Sequence, residues 1–86
     1  MQPEEIKQLI EANLNQTEAW VEGDGSHFTA LVISPLFANQ SRIERQKMVY
    51  NTVEKQLLNG TLHALSVKTF TPTEWEALEV PQDENV

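Results

Sequence analysis

The stretch from Ser41 to Gly60 (SRIERQKMVYNTVEKQLLNG) most constrains the fold, because it predicts one long helix. Ser41 and Glu44 have the spacing of a capping box, in which each side chain accepts the backbone amide of the other residue. Gly60 can adopt the left-handed conformation that ends a helix. The helix has an apolar stripe, formed by Ile43, Tyr50, Val53 and Leu57 and widened by Met48, Val49 and Leu58. The flanking segments are too short to bury a core alone, so we expect them to pack on this stripe.

Length and charge narrow the class of protein. A chain of 86 residues without cysteine forms one domain near the lower size limit, without a thiol nucleophile, a redox motif or a cysteine metal site. The formal net charge of −7 argues against tight nonspecific binding to a phosphate backbone. The N-terminal segment lacks a basic region and a long apolar run. We therefore expect a soluble cytoplasmic protein that is not associated with a membrane.

The remaining segments alternate between helical and strand-like patterns. Pro3 suits the first turn of a helix. Two strand-like runs flank the glycine-bracketed turn at residues 23–26, which predicts a hairpin. Thr71, Pro72 and Glu74 have the spacing of a second helix start. The predicted elements are a helix over about residues 3–14, strands over 17–22, 27–33 and 62–70, and a final helix ending at about Leu78.

These elements predict an α+β fold in the order α-β-β-α-α-β-α, where the connector at residues 36–40 supplies one helical turn. A long helix separates the hairpin from the last strand, so that strand can run parallel to a hairpin strand. We expect a three-stranded mixed sheet covered by helices on one face. Residues 1–78 form a single domain in this interpretation, and the acidic segment 79–86 is a disordered tail.

Aromatic residues are scattered along the chain and form no stacking platform that the sequence can show. We assign them to the core or its margin. Tyr50 and Trp75 are the two that we also consider for a partner surface. The full set is Trp20, Phe28, Phe37, Tyr50, Phe70 and Trp75.

Two histidines, His27 and His63, are candidate metal ligands, because imidazole binds iron, zinc and copper. Their separation matches no zinc spacing, and a stable site usually needs more than two ligands. A surface or hydrogen-bonding role therefore stays open for each. A hydrolase site made of Asp24, Ser26 and His27 is disfavoured, because adjacent strand residues point to opposite faces. Asp24 is better interpreted as a turn residue, and we do not expect an enzyme.

Arg42, Arg45 and Lys47 place half of the chain's six cations at the start of the long helix. The helix dipole favours acidic residues there, so this cluster is unusual. It indicates a nucleic-acid or acidic-partner surface, as in a helix-turn-helix. Glu44 and the acidity of the whole chain favour a solvated charged face instead.

Three segments resemble the hallmark segments of BolA-like proteins, most closely those of the acid-responsive bacterial IbaG-type branch. They are GDGSHF at 23–28, LFANQSRIERQKMVY at 36–50 and LHALSVKTFTPTEW at 62–75. The resemblance implies a fold related to the type II KH arrangement, in the element order given above. Asn39 replaces a glycine of the family, and asparagine also tolerates positive φ.

The resemblance also implies a partnership with a monothiol glutaredoxin, in which the two proteins share a 2Fe-2S cluster. The glutaredoxin would supply its cysteine and the thiol of glutathione, and this chain would supply His27 and His63. Two ligands would then suffice, as in mixed Cys/His clusters. The implied function is a non-enzymatic adaptor in iron–sulfur trafficking or sensing. A DNA-binding regulator that uses Arg42, Arg45 and Lys47 is the rival, and a metal-free interaction domain is the third option. Weak self-association of the free chain stays open.

Overall fold

The computed structural model describes residues 1–84. The chain forms α1 (Pro3–Asn13), β1 (Glu18–Gly23), β2 (His27–Ile33), a 3₁₀ turn (Pro35–Phe37), α2 (Arg42–Thr52), α3 (Glu54–Leu58), β3 (Ala64–Phe70) and α4 (Pro72–Glu84). The predicted α+β class is confirmed, and the connector before the long helix forms the expected single turn. No helix within residues 1–84 has the length and apolar character needed to cross a bilayer.

The sheet has the strand order β1-β2-β3. β1 pairs antiparallel with β2, and β3 pairs parallel with β2, so the predicted mixed sheet is confirmed. Alternate strand residues on one face are buried beneath α1 and α2. This core includes Ala19, Phe28, Ala30, Val32, Leu65 and Val67 from the sheet, with Ile6, Ile10 and Val49 from the helices. Within residues 1–84, the opposite face is open apart from the end that α4 approaches.

The aromatic side chains are divided between the buried core and the open face of the sheet. Phe28 and Phe37 are buried in the core, as expected. Trp20 is 60% exposed, so its assignment to the core or its margin is wrong. The reason is its register on β1, because Trp20 alternates with the buried Ala19 and faces the open side of the sheet.

The prediction of one continuous helix from Ser41 to Gly60 is wrong, because the chain bends at Val53. Val53 has φ −121° and ψ 20°, and its amide donates to the Tyr50 carbonyl at 3.1 Å. The Thr52 hydroxyl donates to the Val49 carbonyl at 2.6 Å, a back-bond that bends helices. The bend leaves Val53 fully buried. Core packing therefore outweighs helical continuity at two adjacent β-branched residues.

The predicted helix starts are confirmed to different extents. The Ser41 hydroxyl accepts a hydrogen bond from the Glu44 amide at 3.1 Å, as predicted. The predicted return bond from the Ser41 amide to the Glu44 carboxylate is wrong, because that carboxylate lies 3.9 Å from Lys47 Nζ instead. At α4 both halves form. The Thr71 hydroxyl accepts the Glu74 amide at 3.1 Å, and the Glu74 carboxylate accepts the Thr71 amide at 2.9 Å.

The last helix does not end at about Leu78 as predicted, because α4 continues to Glu84. Residues 76–79 are Glu, Ala, Leu and Glu, which favour helix, and no glycine follows to stop it. Pro81 removes one backbone donor. Of the predicted disordered tail at 79–86, residues 85–86 lie outside the described residues. The single domain at residues 1–78 stays a prediction.

Tyr50 links α2 to the outer edge of β3, because its hydroxyl donates to the Leu65 carbonyl at 2.7 Å. We expect Tyr50→Phe to lower the free energy of unfolding by about 1 kcal/mol, since it removes one partly buried hydrogen bond. Urea denaturation followed by circular dichroism measures this difference. Equal stability of the two proteins would show that water replaces the tyrosine hydroxyl without cost.

Candidate metal centre

The structure brings His27 and His63 to the same end of the sheet. His27 begins β2 and pairs with Ala64, and His63 directly precedes Ala64. Neighbouring strands are about 4.8 Å apart and residues rise about 3.3 Å, which places the two Cα atoms roughly 6 Å apart. Both side chains are exposed. The two candidate ligands are therefore neighbours on an accessible rim, although their role as ligands stays a prediction.

Asp24 shapes the loop that presents His27. Its carboxylate accepts the amides of Ser26 and His27, both at 3.0 Å, and its own amide donates to the His27 carbonyl at 3.3 Å. The bond from the His27 amide, followed by that from Ser26, lowers the pKa of the Asp24 carboxyl from its ordinary value. The carboxylate stays ionised at neutral pH and fixes the backbone at His27. Its interpretation as a turn residue is confirmed.

Two glycines in this hairpin have separate functions. Gly25 has φ +101°, a conformation that favours glycine. Gly23 pairs with Phe28, and a Cβ at position 23 would lie 2.5 Å from the His27 carbonyl oxygen. The strands can approach this closely only because Gly23 has no side chain. This steric role was not predicted from the sequence, where the only signal was a glycine directly before the turn.

The backbone before His63 is anchored in the core. Leu62 is buried, and its amide donates to the Gln56 carbonyl at 3.0 Å. Gly60 has φ +81°, and the Asn59 side chain accepts the Thr61 amide at 2.9 Å. The buried Leu62 thus fixes the chain one residue before the exposed His63.

The donor chemistry of this rim suits iron. Imidazole is an established iron ligand, and in some 2Fe-2S proteins two histidines bind one of the two irons. Two imidazoles make half of a four-coordinate ligand set. Within residues 1–84, no group of three or more His, Cys, Asp or Glu side chains is placed to hold a metal ion.

Arg45 of the predicted nucleic-acid cluster serves a structural purpose. Its guanidinium binds both carboxylate oxygens of Glu74 at 2.7 and 3.0 Å, and its Nε donates to the Gln40 carbonyl at 3.0 Å. The guanidinium also lies 5.9 Å from the centre of the Phe37 ring. Its side chain is 14% exposed. Arg45 thus joins α2 to the start of α4, and this geometry counts against a role in binding DNA.

The other two cations of the cluster stay at the surface. Lys47 is exposed and lies 3.9 Å from Glu44. Arg42 is exposed and lines a groove of about 440 Å³ between α2 and β3, together with Gln46 and Lys68. The contribution of Lys68 was missed, because only the fold brings it beside Arg42.

The fold and three segments of the chain define a known class of protein. Residues 2–74 match the family described as BolA-like protein. The chain belongs to the BolA-like family. Asn39 has φ 65°, so the positive φ that asparagine was expected to tolerate there is confirmed.

Within this family the similarity is to the IbaG type. The chain is 36% identical over 75 residues to the acid stress protein IbaG of Escherichia coli K12, over 87% of this chain and 89% of that protein. The structure of a bolA protein homologue from Coxiella burnetii has a TM-score of 0.80 and 40% identity, covering 88% of this chain and 97% of that one. The DNA-binding transcriptional regulator BolA of E. coli K12 is 37% identical over 57 residues, 66% of this chain and 53% of that protein.

The bond between Arg45 and Glu74 predicts a pH dependence of stability. Hydrogen bonds from Arg45, followed by the Thr71 amide, lower the pKa of Glu74 from 4.5 to about 2. Its stabilising contribution is therefore complete above about pH 4.5 and is lost as the pH falls towards 2. Because Glu74 is partly exposed, we expect the free energy of unfolding to fall by less than about 1 kcal/mol.

Urea denaturation between pH 2 and 6 measures this contribution. Glu74→Gln should lose less stability on acidification than wild type, because it lacks the titrating carboxylate. Glu76→Gln, which changes an exposed residue on α4, should lose as much stability as wild type. Identical pH profiles for wild type and Glu74→Gln would contradict the assignment.

Proposed function

We propose that this BolA-like protein is a non-enzymatic adaptor that binds a monothiol glutaredoxin and supplies His27 and His63 to a bridging 2Fe-2S cluster. The observation that carries the proposal is the pairing of His27 with Ala64, which makes the two exposed histidines neighbours. The partner's cysteine and the thiol of glutathione complete the ligand set. When bound, the cluster supplies one-electron iron–sulfur chemistry, and histidine ligation raises its reduction potential.

The backbone around each histidine supports this function. The Asp24 carboxylate holds the His27 amide, and the buried Leu62 anchors the chain before His63. A backbone held in place before binding loses less conformational entropy when a ligand binds, which increases affinity. The two residues thus form a prearranged half-site for a metal carried by another protein.

We propose a cytoplasmic location for this complex. The partner's cysteine and glutathione bind iron as thiolates, and the cytosol keeps thiols reduced. This chain has no cysteine of its own. Its histidines therefore add ligands without forming a disulfide with the partner.

Cluster assembly tests this function. A monothiol glutaredoxin is mixed with the chain, ferrous iron, sulfide and glutathione, and visible absorption and circular dichroism are recorded. We expect a heterodimer whose spectrum differs from that of the glutaredoxin homodimer. His63→Ala and His27→Ala should each alter the spectrum or weaken the complex, and the double variant should give the homodimer spectrum alone.

Ser26→Ala is the matched control, because it changes an exposed neighbour of His27 without removing a histidine. It should leave the spectrum unchanged. Far-ultraviolet circular dichroism checks that each variant is folded. If the double histidine variant forms the same coloured heterodimer as wild type, the cluster assignment is wrong. If a colourless heterodimer forms regardless of iron, the metal-free interaction domain is the better description.

DNA binding is the second candidate, favoured by the groove that Arg42 and Lys68 line. A relative named as a DNA-binding transcriptional regulator also supports it. The net charge of −7 and the bond of Arg45 to Glu74 place it second.

Fluorescence anisotropy with a labelled DNA duplex at increasing salt tests this candidate. Binding through the groove should weaken steeply with salt, and Arg42→Glu or Lys68→Glu should reduce it for all sequences. Lys55→Glu, on α3, is the matched control and should have little effect. Absence of binding at low salt would remove DNA binding from consideration.

A further inference from the structure

The open face of the sheet carries two apolar side chains near its centre. Trp20, Leu31 and Lys68 lie side by side across β1, β2 and β3. Trp20 is exposed and Leu31 is half-buried. The solvent side of a sheet normally carries polar residues. This row therefore presents apolar surface that the chain's own core does not use.

α4 covers one end of this face and leaves the rest open. The Trp75 ring lies against Phe70, with ring centres 5.5 Å apart. Ile33, which pairs with Phe70, is only 7% exposed. Trp75 also lines a hollow of about 290 Å³ with Trp20 and Leu31. We call the surface formed by Trp20, Leu31 and Trp75 the indole groove.

The size of the open face suits a helix. The outer strands of a three-stranded sheet are about 10 Å apart, and a helix with its side chains is about 10–12 Å across. Sheets bury an apolar face beneath a layer of helices, which here is incomplete. One additional helix beside α4 would complete the layer over Trp20 and Leu31.

The charges around the indole groove indicate what kind of helix binds. Glu18 and Glu22 are exposed on β1 and alternate with Trp20 on the same face. Lys68 lies on the opposite side of the row. A second copy would bring another net charge of −7 to this acidic side. A helix with Lys or Arg facing β1 complements the charges, whereas an acidic helix is repelled.

We propose that the indole groove binds a basic amphipathic helix of a partner protein. Apolar residues at helical spacing fill the groove, and Lys or Arg side chains face Glu18 and Glu22. Leu31 lies four residues along β2 from His27, a distance of roughly 13 Å. The proposal holds whether or not the histidines bind a cluster, and it gives the adaptor a second partner surface.

Tryptophan fluorescence tests the groove directly, because both tryptophans of the chain, Trp20 and Trp75, line it. The probe is a tryptophan-free synthetic helix of about 18 residues, with leucines along one stripe and lysines beside it. We expect a saturable blue shift of the emission. The matched peptide with glutamate in place of lysine should bind at least about tenfold more weakly.

Variants of the protein distinguish binding in the groove from nonspecific binding. Leu31→Ser should reduce binding at least about tenfold, because it removes the floor of the groove. Glu22→Lys should weaken binding of the lysine peptide and strengthen binding of the glutamate peptide. Ile43→Ser is the matched control, because Ile43 is 65% exposed on α2, and it should leave binding unchanged. Far-ultraviolet circular dichroism confirms that each variant is folded.

Three results would overturn the proposal. The first is equal affinity of the protein for the lysine and glutamate peptides. The second is wild-type affinity for the lysine peptide in both Leu31→Ser and Glu22→Lys. The third is that a second copy of the chain covers the groove in the free protein. Self-association of that kind is detected as a concentration-dependent blue shift together with a dimer in analytical ultracentrifugation.

Discussion

Parallel pairing of β2 with β3 is the interaction on which the rest of this structure depends. It aligns His27 with Ala64 and so makes His27 and His63 neighbours. The same register places Lys68 beside Leu31, at the margin of the indole groove. A shift of one residue would move the buried faces of β3 to solvent, so the core enforces this alignment. The β2–β3 register thus determines both the proximity of the two histidines and the position of Lys68 beside the groove.

Helix packing maintains that register from the side of the core. Val53 is fully buried at the bend between α2 and α3, and Tyr50 binds the Leu65 carbonyl on β3. Arg45 connects α2 to Glu74 at the start of α4, where Trp75 lies against Phe70. The second half of the chain is thus held at both ends of β3. Arg45, at the start of α2, thus joins α2 to the start of α4.

The sequence predicted those features that local chemistry determines. Turn glycines and β-branched runs identified the hairpin and β3, and the Thr71 cap identified α4. The bend at Val53 was not predictable, because tertiary burial there outweighs a continuous helical pattern. The proximity of His27 and His63 depends on strand register, which their spacing does not report, and only the family resemblance suggested it. Trp20 was misassigned because its direction depends on which strand face meets the helices.

The central claim is that both imidazoles bind iron in a cluster shared with a glutaredoxin. Pulsed electron paramagnetic resonance tests it on the reduced mixed complex, with the chain labelled with ¹⁵N at histidine alone. We expect two strongly coupled ¹⁵N nuclei, one of which disappears in His27→Ala and the other in His63→Ala. A reduced cluster in the mixed complex without strong ¹⁵N coupling would contradict the account.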